Sequence, residues 1–218
     1  MGFIRCTVKK LLFQEKQPIL KQVLDERVLI MFNTHAPQKG SLLLSEPFML
    51  DNNFERSVIL LCEHDIIEGT MGVIVNNRSS LLLSDVIPDI ENAQFPLYIG
   101  GPVGVEALFF LHKVPEKIDG GIELVDGIYF GGAFEQIRLL VNDHLLQPDE
   151  IKFILGYAGW TPGQLDDEIT QNSWAVHNKF PTDLLLLQDG EDLWKQALIS
   201  LGPKYAHVAN FPKSPDLN

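Results

Sequence analysis

From residue 40 onward the chain is a succession of short apolar runs separated by polar turns. The runs 57–61 and 73–75, rich in Val, Ile and Leu, are too short for helices. They predict two buried strands joined as a hairpin across CEHDIIEGTM, with Gly69 and Gly72 at the return. Residues 41–45, 97–99, 107–112, 151–155, 173–176 and 183–187 predict further strands. The runs 122–125 and 128–130 are split by Asp126 and Gly127, a strong hairpin-turn signal.

Helical spacing is confined to a few places. Phe134, Ile137, Leu140, Val141 and Leu145 share one face of a helix predicted over 133–145, ahead of Pro148. Thr161 as N-cap, Pro162 at the first helical position and Gln164 completing a capping box predict a second, with Asp166, Asp167 and Glu168 suited to the positive end of its dipole. Leu193, Trp194, Ala197 and Leu198 line one face of a third over 191–201. Residues 79–86 predict one or two helical turns stopped by Pro88. Strands outnumber helices without alternating with them. That predicts a single α+β domain, a mixed and largely antiparallel sheet with about four flanking helices, rather than a doubly wound α/β sheet.

Charge divides the chain unevenly. Residues 1–40 hold seven Lys/Arg against three Asp/Glu, whereas 41–218 hold ten against 26. The expected organisation is a flexible N-terminal appendage over 1–39, a domain over 40–202 and an irregular tail over 203–218, where Pro203, Pro212 and Pro215 fall. Met31 is a second plausible start. An acidic body repels phosphate backbones, which disfavours direct nucleic-acid binding. The chain has no run of about 18 apolar residues, so no membrane span is expected. MGFIRC lacks the apolar core of a signal peptide and misses the myristoylation pattern because Cys6 stands where Ser or Thr is needed. Two cysteines, Cys6 and Cys62, with no CxxC, predict neither a disulfide nor a zinc site, and a reducing cytosol is the natural compartment. No cofactor and no metal are expected.

The densest chemistry lies in the central hairpin. If the strand persisted to residue 64, Arg56, Val58, Leu60, Cys62 and His64 would share a face. Cys62 would then be a candidate nucleophile, His64 its base or orienting group and Arg56 its electrostatic support. The competing reading is Cys62 as a small buried hydrophobe. Glu63, His64, Asp65 and Glu68 crowd one turn but match no metal-ligand spacing. His112 and His177, lone histidines at strand ends, read as structural or surface residues. Two glycine clusters are candidate anion or nucleotide sites: Gly100 and Gly101 in GGPVG, and Gly159 with Trp160 and Gln164 in GYAGWTPGQ. A tight turn at GGPVG and close backbone packing under a well-capped helix at GYAGW are the competing readings, and the preferred ones. GxGxxG, Walker and GxSxG motifs are absent.

FERSVILLCEH at 54–64, GTMGVIVN at 69–76, GGPV at 100–103, LH at 111–112 and LGYAGWTPGQLDDEITQNSW at 155–174 together resemble the YqgE/AlgH family of bacterial proteins. The resemblance runs from about 40 to 174. It implies a compact α+β fold and a cytosolic protein of no settled activity, and some members carry the label of transcriptional regulator. The chain departs from the family pattern after Asn76, where Asn77, Arg78 and Ser79 replace a basic residue followed by proline. The leading expectation is a non-enzymatic regulator acting through a protein or small-ligand partner. A thiol enzyme or redox sensor using Cys62 is the alternative, and an anion or nucleotide binder the third.

Overall fold

The computed structural model of the protein describes residues 32, 35–90, 95–187 and 190–211. Ten strands lie within them: β1 (Leu42–Ser45), β2 (Val58–Asp65), β3 (Gly69–Ile74), β4 (Arg78–Leu82), β5 (Pro96–Ile99), β6 (Val103–His112), β7 (Ile122–Val125), β8 (Ile128–Phe130), β9 (Ile151–Trp160) and β10 (Trp174–His177). The helices among the described residues are α1 (Leu83–Val86), α2 (Phe134–Asn142), α3 (Gln164–Thr170), α4 (Leu184–Leu187) and α5 (Gly190–Ser200). The fold is α+β.

The strands join in the order β10-β1-β2-β3-β9-β6-β8-β7, each pair antiparallel, with β5 added to β9 in parallel and β4 to β5. β9 is the hub. Its first half lies beside both β5 and β6, and its second half pairs with β3 through Ala158–Trp160. The sheet curls back on itself. Leu42 and Leu44 at one end of the strand order share a core with Leu124 and Ile128 at the other. Gly40, just before β1, lies so close to β7 that a Cβ there would sit 2.3 Å from the Leu124 carbonyl oxygen.

Both faces of the sheet are covered. Val58, Leu60 and Cys62 of β2 point into the curled interior, while Ile59 and Leu61 pack with Trp160, Trp174 and the Leu165 and Ile169 side chains of α3. That explains why β2 reads as a continuous apolar run rather than an alternating one. Each such side chain, fully buried, contributes about 1.5–3 kcal/mol. A second core lies under α2, where Ile137 and Val141 meet Phe110 and Phe153.

Several elements differ from those the sequence predicts. Residues 78–82 form β4 rather than helix, because Arg78 and Leu82 find partners in Tyr98 and Pro96 of β5. The helix is left with one turn, α1. The run 183–187 forms α4 instead of a strand: four consecutive leucines carry no period, and helical turns bury Leu185 and Leu186. The glycines of GYAGW lie inside β9, not ahead of a helix. The N-cap of α3 is Gly163, at φ 78°, rather than Thr161, although the Thr161 N–H still donates to Gln164 Oε1 at 3.1 Å. Beyond Gly202, where the prolines predict irregular chain, 3-10 turns at Pro203–Tyr205 and Val208–Asn210 bury Tyr205, Val208 and Ala209 in the main core. Phe32 stacks on Tyr205 with ring centroids 6.1 Å apart. The expectations for 1–31 and 212–218 concern positions outside the described residues. Among the described residues no helix is long and apolar enough to cross a membrane.

Candidate functional site

The central hairpin is present, with an irregularity that decides its chemistry. Leu61 pairs with Gly72 and Glu63 with Met71, so Cys62 is the extra residue of a β-bulge. A bulge breaks the two-residue alternation. The single face expected for Arg56 through His64 therefore does not persist to His64, which pairs with Thr70 and bonds its Oγ1 through Nδ1 at 2.7 Å. At the tip, Asp65 Oδ1 accepts the N–H groups of Ile67 (2.7 Å) and Glu68 (2.9 Å). Those two donors, Glu68 first, hold the Asp65 carboxyl below its ordinary range. The turn is locked, with Ile66 and Ile67 pointing into water.

The hairpin tip forms one wall of an open cleft of about 820 Å³ at one end of the curled sheet. Cys62, Met71, Leu124, Phe130 and Tyr157, from five different strands, make its apolar floor. Lys39, Glu63, Asp65 and Glu68 stand exposed around it. Gly159, Trp160 and Pro162 close the β9 side, and Ile122 of β7 lies opposite. No single segment makes this cleft. Only the curl of the sheet brings β7 and β8 to face the β2–β3 hairpin.

Four of the candidate catalytic and ligand-binding residues meet here: Cys62, His64, Gly159 and Trp160. Cys62 is only 2% exposed, its thiol 3.6 Å from the Leu60 carbonyl oxygen. Burial pushes the thiol well above the ordinary cysteine range, and the neighbouring Glu63 carboxylate pushes it further. At neutral pH it is a thiol, not a thiolate. Trp160 is tied down rather than free to stack: its indole N–H donates to Glu168 Oε2 at 2.8 Å, and that same oxygen accepts the Trp174 indole at 2.7 Å. Gln164 donates to the other Glu168 oxygen at 2.9 Å and lies outside the cleft.

Arg56 is elsewhere. Its guanidinium lies 4.9 Å from the centre of the Trp194 ring and donates to the Phe211 carbonyl, helping to fix the C-terminal turns to α5. Its backbone, at φ 48°, edges a second pocket of about 210 Å³ beside Asn76. Gly100 and Gly101 also lie apart from the cleft. The Gly100 N–H donates to Leu155 O at 2.7 Å, and a Cβ on Gly101 would fall 2.2 Å from the Tyr157 carbonyl, so close approach to β9 accounts for both glycines. Among the described residues no group of three His, Cys, Asp or Glu side chains is placed to hold a metal ion.

The cleft residues not anticipated from sequence include Lys39, Met71, Ile122, Leu124, Phe130 and Tyr157. Alternation in 122–125 and 128–130 places Ile122 with Leu124 and Ile128 with Phe130, but nothing local says that these faces meet the hairpin.

The profile of the AlgH-like family (DUF179) matches residues 42–206. The chain belongs to the AlgH-like family. The match contains every cleft residue except Lys39. AlgH-like relatives include a UPF0301 protein of Parabacteroides distasonis, 40% identical over 192 residues, which cover 87% of this chain and 96% of that one. A UPF0301 protein of Chlorobium limicola is 38% identical over 179 residues, 82% of this chain and 95% of that one. Two solved structures share the fold. The crystal structure of protein DIP2367 from Corynebacterium diphtheriae superposes with a TM-score of 0.68 at 25% identity, covering 85% of this chain and 98% of that one. The solution structure of AlgH from Pseudomonas aeruginosa gives 0.61, also at 25% identity, over 83% and 98%.

Proposed function

We propose that this AlgH-like chain is a non-enzymatic regulator of the bacterial cytoplasm that works by receiving a protein or small-ligand partner in the cleft, without contacting DNA. The observation that carries this reading is the cleft itself, an open concavity with an apolar floor, the ordinary form of a binding site. The charge balance supports the second half: a net charge of −12 repels a phosphate backbone. The test is chemical cross-linking in cells, followed by identification of attached proteins, comparing the native chain with a Phe130→Ala, Tyr157→Ala variant. A partner attached to the native chain and lost from the variant is the expected result. Specific nanomolar DNA binding at physiological salt, unchanged in the variant, overturns the proposal.

The thiol reading has one observation in its favour, that Cys62 lines the same cleft. The buried, protonated state of the thiol works against it.

A further inference from the structure

We infer that the cleft takes a short segment of a partner protein in which Lys or Arg side chains stand next to bulky apolar ones. This rests on the cleft reading above and gives the partner its chemistry. Three carboxylates, Glu63, Asp65 and Glu68, ring the cleft against one lysine, Lys39, so the rim calls for positive charge. The floor behind them is apolar and aromatic, which calls for side chains such as Leu, Met or Phe.

A polypeptide rather than a small molecule is favoured by what lies outside the concavity. Ile66 and Ile67, between two of the rim carboxylates, are 75% and 80% exposed and do not line the cleft. A small ligand on the floor leaves both in water, whereas a polypeptide crossing the rim covers them. Large apolar side chains grouped beside a groove are the mark of a protein-binding surface. The Asp65 hydrogen bonds hold the isoleucine turn in place before any partner arrives, which lowers the ordering cost of binding. Nucleic acid and anionic membrane are both repelled by the same three carboxylates.

The experiment is fluorescence anisotropy of the full chain with three labelled decapeptides, leucine alternating with lysine, with serine or with glutamate, at about 150 mM salt, where charges beyond roughly 8 Å are screened. The lysine peptide is expected to bind at least about tenfold more tightly than the serine peptide, and the glutamate peptide weakest of all. Glu63→Lys with Glu68→Lys is expected to weaken the lysine peptide by about tenfold or more, and Ile66→Ser with Ile67→Ser to weaken it comparably. All four positions are exposed, so the variants keep the core intact. Asp143→Lys with Asp149→Lys changes the net charge equally away from the cleft and is expected to leave affinity within about twofold. An equal loss in that control overturns the inference, because the attraction would then be that of the whole acidic surface. Equal binding of the serine and lysine peptides, or no binding of any peptide, also overturns it. Neither result touches the cleft reading, which stands or falls on partners lost by the Phe130→Ala, Tyr157→Ala variant.

Discussion

Cys62 shows how one residue's surroundings set its chemistry. Strand alternation from Val58 and Leu60 carries its side chain onto the interior floor, where burial and the Glu63 carboxylate both favour the protonated thiol. In a Cys6→Ala background, iodoacetamide labelling of Cys62 is therefore expected to stay slow to beyond about pH 9 and to accelerate only on unfolding. A labelling midpoint near neutrality would reveal an activated thiolate and revive the thiol reading. Glu168 is the other decisive residue. One of its oxygens accepts two largely buried indole N–H groups, from Trp160 and Trp174. Glu168→Leu leaves both donors unpaired. Hydrogen bonds to a charged group contribute about 1.5–3 kcal/mol each, so a stability loss of about 3 kcal/mol or more is expected in urea unfolding followed by tryptophan fluorescence.

At the scale of elements, β9 is the structure's axis, and what packs on it explains residues that a motif search reads as ligand sites. Gly101→Ala drives a methyl group into the Tyr157 carbonyl and is expected to cost about 3 kcal/mol. Gly127 also has positive φ, 77°, but nothing lies within 4 Å of a Cβ there, so Gly127→Ala is expected to cost only about 1–2 kcal/mol. Equal losses in the two variants, measured by urea unfolding, would mean that backbone conformation rather than crowding selects glycine at 101. The hairpins were legible because their signals are local: Asp126-Gly127 between two short apolar runs gives β7 and β8 with their predicted bounds. Where a distant partner decides, the local signal fails. β4 exists because β5 is there to receive it, and the LLLL run becomes α4 because burial of Leu185 outweighs the strand reading of an aperiodic stretch.

At the scale of the whole molecule, burial disfavours the charged form of two interior histidines. Burial lowers His177 from its ordinary value to about 4, with His35 adding to the effect, and burial likewise lowers His112. Above about pH 6.5 both folded and unfolded chains hold a neutral His177, and it has no effect on stability. Below that, the unfolded chain takes up a proton that the folded chain refuses. Stability is thus expected to fall as pH drops from about 6.5 towards 4, with His177 contributing up to about 1.4 kcal/mol per pH unit. His177→Gln is expected to flatten the slope between pH 6.5 and 5 in urea unfolding. An unchanged slope would assign the acid sensitivity to carboxylates and His112.

The sequence by itself determined the fold class, the central hairpin, the amphipathic helices and the acidic body, because hydrophobic period, turn residues and charge are properties of neighbouring positions. It also marked Cys62, His64, Gly159 and Trp160, four residues of the cleft. Only the tertiary structure decided that Arg56 and the Gly100–Gly101 turn stand away from them, that Cys62 is buried while a bulge takes His64 off its face, and that Phe130 and Ile122 face the hairpin. The physical reason is the curl of the sheet. It brings together strands far apart in the chain, and the meeting of β2 and β7 around one cleft leaves no trace in the pattern of either.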